Sequence, residues 1–288
     1  RRGVDSHQFP LPLIPGSDVV GIRMDTGERV VLHPGFGCLQ CATCGSGRHD
    51  LCRHYAIRGE TINGGMCERL AVPESHLLPC PIDAAQAAAL PLSLLTAWHM
   101  LVGRAQIRPG DKVLIQAGAS GVGSLAIQVA KLHGAEVAVT ASTQEKRERC
   151  LQWGADYAWE YGAAKNEVRN WTKKRGVDIV LDHVGTDTWS TSVRALCKGG
   201  KLVTCGATTG YTAEIDLRVL FFKQLNLLGS TMGTMDEMRE AWAAVTQGLI
   251  QPVLDRVLPM SQLGKAHALL EARSVSGKIV VEQDLCQN

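Results

Sequence analysis

A chain of 288 residues has room for about two domains. Its 45% hydrophobic and 20% charged residues, with a net charge of +2, exclude the basic stripe of a nucleic-acid binder and the low apolar content of a disordered chain. The first ten residues hold no apolar core of a signal peptide. The most apolar later stretch, 84–103, is broken by Gln86, Pro91, Ser93 and His99, so neither a leader nor a membrane partner is expected. Ten cysteines are few for this length, and four of them lie within one short segment, which reads as metal binding in a reducing cytoplasm. The chain opens on charged residues without an initiator Met and reads as a fragment whose beginning is missing.

In chain order, residues 14–81 carry short β-like runs, 29–32 and 68–72, punctuated by Gly, Pro and Asp. This predicts a small β-rich domain. From Asp111 onward the texture changes. Apolar runs at 112–116, 136–140, 178–181, 201–205 and 225–229 alternate with segments of helical length, the pattern of a doubly wound parallel α/β sheet. The end of the chain, 260–283, has a short helical pattern and a final strand at 278–282 that is placed with the first domain.

Cys38, Cys41, Cys44 and Cys52 have the spacing C-x2-C-x2-C-x7-C, which lets four thiolates wrap one tetrahedral ion. A ferredoxin-type cluster needs its fourth Cys three residues later, followed by Pro, where Arg48 and His49 stand. Four cysteines leave no open coordination position, so the expected zinc is structural.

After the run at 112–116 comes Ala117-Gly118-Ala119-Ser120-Gly121-Val122-Gly123, leading into a helical stretch at 124–133. Strand, glycine turn and helix in this order form a pyrophosphate cradle: glycines admit the ligand to the backbone, and the helix start offers free N–H groups. NAD enzymes place a carboxylate about 20 residues further on to grip the ribose. Here that window reads Thr140-Ala141-Ser142-Thr143-Gln144, with Lys146 and Arg147 beyond, which favours a 2′-phosphate and hence NADP(H).

Together, Gly16-Ser17-Asp18-Val19-Val20-Gly21, the cysteine lobe, Gly64-Gly65-Met66-Cys67-Glu68, the Gly118 loop and Gly277-Lys278-Ile279-Val280-Val281 resemble the medium-chain dehydrogenase/reductase superfamily of zinc-containing alcohol dehydrogenases and quinone oxidoreductases. The resemblance implies a GroES-like catalytic domain over 1–82 with the zinc lobe at 38–52, incomplete at its N-terminus. It also implies a Rossmann domain over 83–250, a return to the catalytic domain over 251–288, and assembly as a homodimer or homotetramer. By the same resemblance, Gly118, Ala119, Ser120, Gly121, Val122 and Gly123 hold the pyrophosphate, Ser142, Lys146 and Tyr161 face the adenosine 2′-phosphate, and Thr96 lies against the nicotinamide. Val184, Gly206 and Ser230 border the cofactor at strand ends.

The chain also departs from the family. Ser17 stands where zinc alcohol dehydrogenases carry a catalytic-zinc histidine, and Leu90-Pro91-Leu92 falls where a second ligand is expected. His33, His54 and Glu60 are an alternative ligand set. Without a Lewis acid, hydride delivery to an enone, quinone or enoyl double bond is easier than to a carbonyl, because the charge spreads into an enolate that N–H and O–H donors stabilise. Ser17, Asp18, Ser93 and Thr96 are the candidate catalytic residues for such a small-molecule substrate. The alternatives are a zinc-dependent alcohol dehydrogenase and a non-catalytic NADPH-binding protein.

Overall fold

The computed structural model describes residues 10–284, so the N-terminal residues that bear on a leader or a missing beginning lie largely outside it. The chain forms two compact units. One comprises the segments up to Leu95, Met232–Thr246 and from Pro252 onward; the other comprises Thr96–Thr231 and Gln247–Gln251. The divisions fall at Leu95/Thr96, Thr231/Met232, Thr246/Gln247 and Gln251/Pro252; the resemblance draws two, at 82/83 and 250/251.

The first unit begins with β1 (Val20–Ile22) and β2 (Arg29–Leu32), paired antiparallel through Val20↔Val31. β3 (Gly35–Phe36) follows. The zinc lobe holds α1 (Ala42–Gly45), and β4 (Ala56–Ile57) pairs back onto β3. β5 (Leu77–Pro79) completes the first sheet by pairing with β2 through Leu32↔Leu77. The run at 68–72 does not form the expected strand. It is irregular and largely exposed; its alternation has no strand beside it, because β5 holds the free edge of β2. α2 (Ala84–Ala88) is capped by Asp83, whose carboxylate accepts from the Gln86 amide at 3.0 Å, and α3 (Pro91–Trp98) starts on a proline, as helix first turns favour.

The second unit is a six-stranded sheet. Its elements are β6 (Lys112–Ile115), α4 (Gly121–Leu132), β7 (Glu136–Thr140), α5 (Gln144–Gln152), β8 (Tyr157–Trp159), α6 (Ala164–Trp171), β9 (Val177–Leu181), α7 (Thr186–Ala195), β10 (Leu196–Thr204), α8 (Leu217–Lys223) and β11 (Asn226–Gly229). All strands pair in parallel in the order β11-β10-β9-β6-β7-β8. Val113, Leu114 and Ile115 are fully buried, as are Val137 to Val139, because helices cover both faces; such strands show unbroken apolar runs where one-sided strands alternate. Burial of each large side chain here stabilises the unit by about 1.5–3 kcal/mol. The strand order turns outward from β6 in both directions, so the switch point lies between β6 and β9, where α/β sheets bind ligands beyond their carboxyl ends.

The chain then returns to the first unit with α9 (Met235–Thr246), whose Trp242 donates its indole N–H to the Pro79 carbonyl at 2.9 Å. β12 (Leu254–Pro259), α10 (Leu263–Glu271) and β13 (Lys278–Glu282) close the chain, β12 and β13 pairing in parallel. Among the described residues no helix is long and apolar enough to cross a membrane.

Candidate functional site

The four cysteines converge. Their sulfurs all lie within 4.8 Å of one another, with Cys38 to Cys44 at 4.0 Å and Cys41 to Cys52 at 3.9 Å. A tetrahedral zinc with Zn–S bonds of about 2.3 Å requires sulfurs about 3.8 Å apart, so the residues fit that ion. Backbone amides point at the sulfurs as well: Cys38 N to Cys52 Sγ at 3.4 Å, Cys44 N to Cys41 Sγ at 3.4 Å and His54 N to Cys52 Sγ at 3.3 Å. The Cys44 amide holds the Cys41 thiol down to about 6, while desolvation pushes the Cys44 thiol up to about 12. A side chain at Gly37 would put its Cβ 2.7 Å from Cys44 Sγ and 2.9 Å from His49 Cβ, so only glycine closes this cradle. Among the described residues the cysteines are the one group of three or more potential ligands that converge; His33, His54 and Glu60 do not. His33 is instead buried, its Nδ1 2.8 Å from the Gly35 carbonyl and 3.0 Å from the Gly35 amide, and burial drives its pKa down to about 3.

In the second unit the glycine loop leaves β6 at the switch point. Ala117 adopts φ 54°, and Gly118 N donates to the Thr140 carbonyl at 2.8 Å, which ties the loop to β7. Ser120 caps α4 by accepting from Gly123 N at 3.0 Å, which occupies one of the amides that a helix start leaves free. A Cβ on Gly118 would stand 2.7 Å from that of Val139, and one on Gly123 would stand 2.4 Å from the Ala117 carbonyl. The cradle therefore has the tight backbone crossing that a pyrophosphate loop needs, and these residues fit a dinucleotide.

Three of the other expected residues follow the carboxyl ends of neighbouring strands: Val184 after β9, Gly206 after β10 and Ser230 after β11. Val184 and Ser230 are buried, and the Ser230 hydroxyl has no hydrogen-bond partner among the described residues. Ser142 and Tyr161, after β7 and β8, are exposed. Lys146 is half-buried in the first turn of α5, where its amide donates to the Thr143 hydroxyl at 3.2 Å. Ala141 is buried at the end of β7, with its amide on the Trp159 carbonyl at 2.9 Å.

Sequence reasoning missed His183 and Asp182. Ser120 Oγ lies 2.9 Å from His183 Nε2, so the loops after β6 and β9 meet through this pair. Burial pushes the His183 pKa down and keeps the ring neutral. Fully buried Asp182 accepts from the amides of Val184 and Gly185 at 2.9 and 3.1 Å, from Thr188 Oγ1 at 2.8 Å and from Ser192 Oγ at 2.6 Å. Ser192 in turn accepts from Gln116 Nε2 at 3.0 Å, and Gln116 Oε1 accepts from Thr140 Oγ1 at 2.6 Å. One buried polar network thus fixes the ends of β6, β7 and β9. Its signal in the sequence was an aspartate directly after the apolar run at 178–181.

Of the four candidate catalytic residues, Asp18 has both oxygens engaged: Oδ1 accepts from Leu92 N at 2.6 Å, and Oδ2 pairs with Lys278 Nζ at 2.6 Å. It holds the start of α3 and ties it to β13. Ser17 is half-buried, and Ser93 and Thr96, three apart on α3, are buried. Leu90 is fully buried ahead of α3.

A doubly wound unit with a pyrophosphate-type loop at its switch point, joined to a small β unit with a four-cysteine lobe, defines a dehydrogenase-type chain. The comparisons agree. Residues 1–82 match the alcohol dehydrogenase GroES-like domain, and residues 121–247 match the zinc-binding dehydrogenase family. Crotonyl-CoA reductase of Streptomyces avermitilis is 31% identical over 96% of this chain and 69% of its own length. Quinone oxidoreductase of Homo sapiens is 26% identical over 98% of this chain and 83% of its own. Among solved structures, an NAD-dependent alcohol dehydrogenase superposes with a TM-score of 0.90 at 37% identity, covering 95% of this chain and 84% of its own. A crotonyl-CoA carboxylase/reductase in complex with NADP superposes with a TM-score of 0.87 at 29% identity, covering 93% and 76%. The chain belongs to the medium-chain dehydrogenase/reductase superfamily and is an oxidoreductase.

Proposed function

We propose that the chain is an NADP(H)-dependent reductase of an activated carbon–carbon double bond or quinone, in which the cysteine lobe holds the structural zinc and no second zinc takes part. The observation that carries this reading is the set of residues at the family's catalytic-zinc positions: Ser17, and a Leu90-Pro91-Leu92 stretch whose first residue is fully buried. Apolar side chains offer zinc no ligand. Relatives named crotonyl-CoA reductase and quinone oxidoreductase, and a neighbour bound to NADP and 2-octenoyl-CoA, support the substrate class and the cofactor.

When bound, the cofactor supplies the hydride. In this chain the loop from Gly118 to Gly123 would bring its backbone against the pyrophosphate, and Ser142, Lys146 and Tyr161 would meet the 2′-phosphate. Val184, Gly206 and Ser230 would border the ring end at the strand termini, and Thr96 would face the nicotinamide. Ser17, Ser93 and Thr96 are the candidate hydroxyl donors to the enolate oxygen, while Asp18 acts through its hold on α3. A cytoplasmic setting and a homodimeric or homotetrameric assembly complete the proposal; they rest on cysteine usage and on the resemblance.

The 37%-identical alcohol dehydrogenase favours a second reading, NAD-linked alcohol oxidation. A substrate panel separates the two. NADPH oxidation with enones, quinones and enoyl thioesters that exceeds turnover of matched aldehydes supports the double-bond reading. NADH-driven aldehyde reduction at the higher rate supports the second, and cofactor binding without turnover of any of them defeats both.

A further inference from the structure

The second unit carries a concave depression of about 300 Å3 formed by α6, the turn at 172–176, the end of α7 and α8. Its walls reach Gly176 and Leu196, at the amino ends of β9 and β10, whereas the dinucleotide loop follows the carboxyl end of β6. The depression therefore lies at the amino ends of the strands, opposite the carboxyl ends where the cofactor residues stand.

Six cations line it, Lys165, Arg169, Lys174, Arg175, Arg194 and Lys223, and no carboxylate does. The whole chain has a net charge of only +2, so six cations without a carboxylate in one depression stand well above the chain's average. Two of the six are committed to the fold. Arg175 donates to both oxygens of Asp178, at 3.0 and 2.5 Å, and Lys223 Nζ donates to the carbonyls of Arg194 and Leu196, at 3.1 and 2.6 Å. The side chains of Lys165, Arg169, Lys174 and Arg194 have no ion-pair partner among the described residues. Lys173 and Lys174 also hold φ of 51° and 69°, the left-handed region where glycine or asparagine is the ordinary occupant, so the turn places lysine where the backbone alone favours another residue. Val168, Ala195 and Leu196 form a buried apolar floor, and low-dielectric walls focus the field of the cations above them.

We propose that this depression binds a small polyanion, a ligand carrying two phosphate groups or a phosphate and a carboxylate. Arg169 and Arg194 have the planar fork that grips phosphate oxygens in pairs, and Lys165 and Lys174 add point charges at the rim. The volume lies at the lower end for small-molecule sites, which suits a compact phosphorylated metabolite and not a dinucleotide. Its concavity and small extent set it apart from the extended basic stripe that a nucleic acid or an anionic lipid surface requires. The proposal is independent of the reaction assigned above.

The test is calorimetric titration of the zinc-replete, NADPH-saturated protein with inorganic diphosphate and with orthophosphate, in about 0.1 M salt so that weak surface attraction is screened. Saturation of the cofactor site keeps diphosphate out of the glycine loop. One saturable site per chain is expected, with diphosphate bound at least tenfold more tightly than orthophosphate. R169Q/R194Q should weaken diphosphate at least tenfold and leave NADPH affinity unchanged. Both arginines are exposed, and the unliganded melting temperature of the variant checks its fold; K165Q/K174N, also at exposed positions, gives an independent pair with the same expected loss. The proposal is overturned if no saturable binding is seen, if the variants bind diphosphate as the parent does, or if diphosphate competes with NADPH.

Discussion

Replacing Cys44 by Ser removes one of four zinc ligands from a lobe that has little else to order it. Between Gly37 and His54 only His49, Asp50 and Cys52 are buried, while Leu39 and Leu51 are 54% and 62% exposed, so the hydrophobic effect contributes little there. The ion does the cross-linking: it ties Cys38 to Cys52 across a loop of about 15 residues, and closing a loop of that length is worth about 3 kcal/mol of chain entropy. At about 2–4 °C per kcal/mol for a protein of this size, loss of the ion and with it the closure lowers the melting temperature by about 6–12 °C, a limit that C44S approaches as its zinc occupancy falls. Zinc affinity should fall more than the ~10–100-fold seen on loss of a residue that merely supports a ligand. Zinc content by elemental analysis and a thermal scan of C44S beside the parent check both numbers. Gly37→Ala, whose Cβ would press on Cys44 Sγ, should show a smaller loss in the same direction. Full zinc occupancy and an unchanged melting temperature in C44S would refute the reasoning, and visible absorbance from iron in the parent would replace the ion.

Ala141→Asp should turn the cofactor preference from NADPH toward NADH, by setting a carboxylate against the 2′-phosphate, and Lys146→Ala should weaken NADPH about tenfold with NADH little changed; fluorescence titration of both cofactors checks this. Gly123→Ala should abolish measurable dinucleotide binding, because its Cβ would lie 2.4 Å from the Ala117 carbonyl, and near-parental affinity would show that the loop is not the cradle. Stability should fall in acid. His33 and His76 are held neutral by burial, at about 3 and about 4, whereas the unfolded chain protonates them near 6.5, so their contribution is present above about pH 6.5 and is lost as the pH drops. For His33 alone that loss is about 2–3 kcal/mol by pH 4.5, and denaturant midpoints that stay flat from pH 7 to 4.5 would contradict it.

The strands of the second unit were legible because burial on both faces leaves continuous apolar runs, and β7 falls where the run at 136–140 placed it. β8 was not legible: a three-residue edge strand, Tyr157–Trp159, with no fully buried side chain has no such run. The N-terminal part of the first unit was harder to read, since β1 to β5 are two to four residues long and pair across distant segments, as β2 does with β5. Alternation at 68–72 looked like a strand, but alternation alone supplies no partner. The cysteine lobe and the glycine loop were legible because their chemistry depends on local spacing. The network of Asp182, Ser192, Gln116 and Thr140 was not, because it joins residues that only the parallel sheet brings together. The role of Asp18 was hidden for the same reason: its partner Lys278 lies 260 residues away in sequence.

The central claim, double-bond reduction without a catalytic zinc, is tested most directly by counting metal and turnover on the same sample. NADPH oxidation by a 2-enoyl thioester is followed before and after a chelator that spares the thiolate lobe, with zinc per chain measured at each stage. The account predicts one zinc per chain throughout and unchanged turnover. A second zinc in the starting protein, whose removal abolishes turnover while the lobe keeps its own, would contradict it.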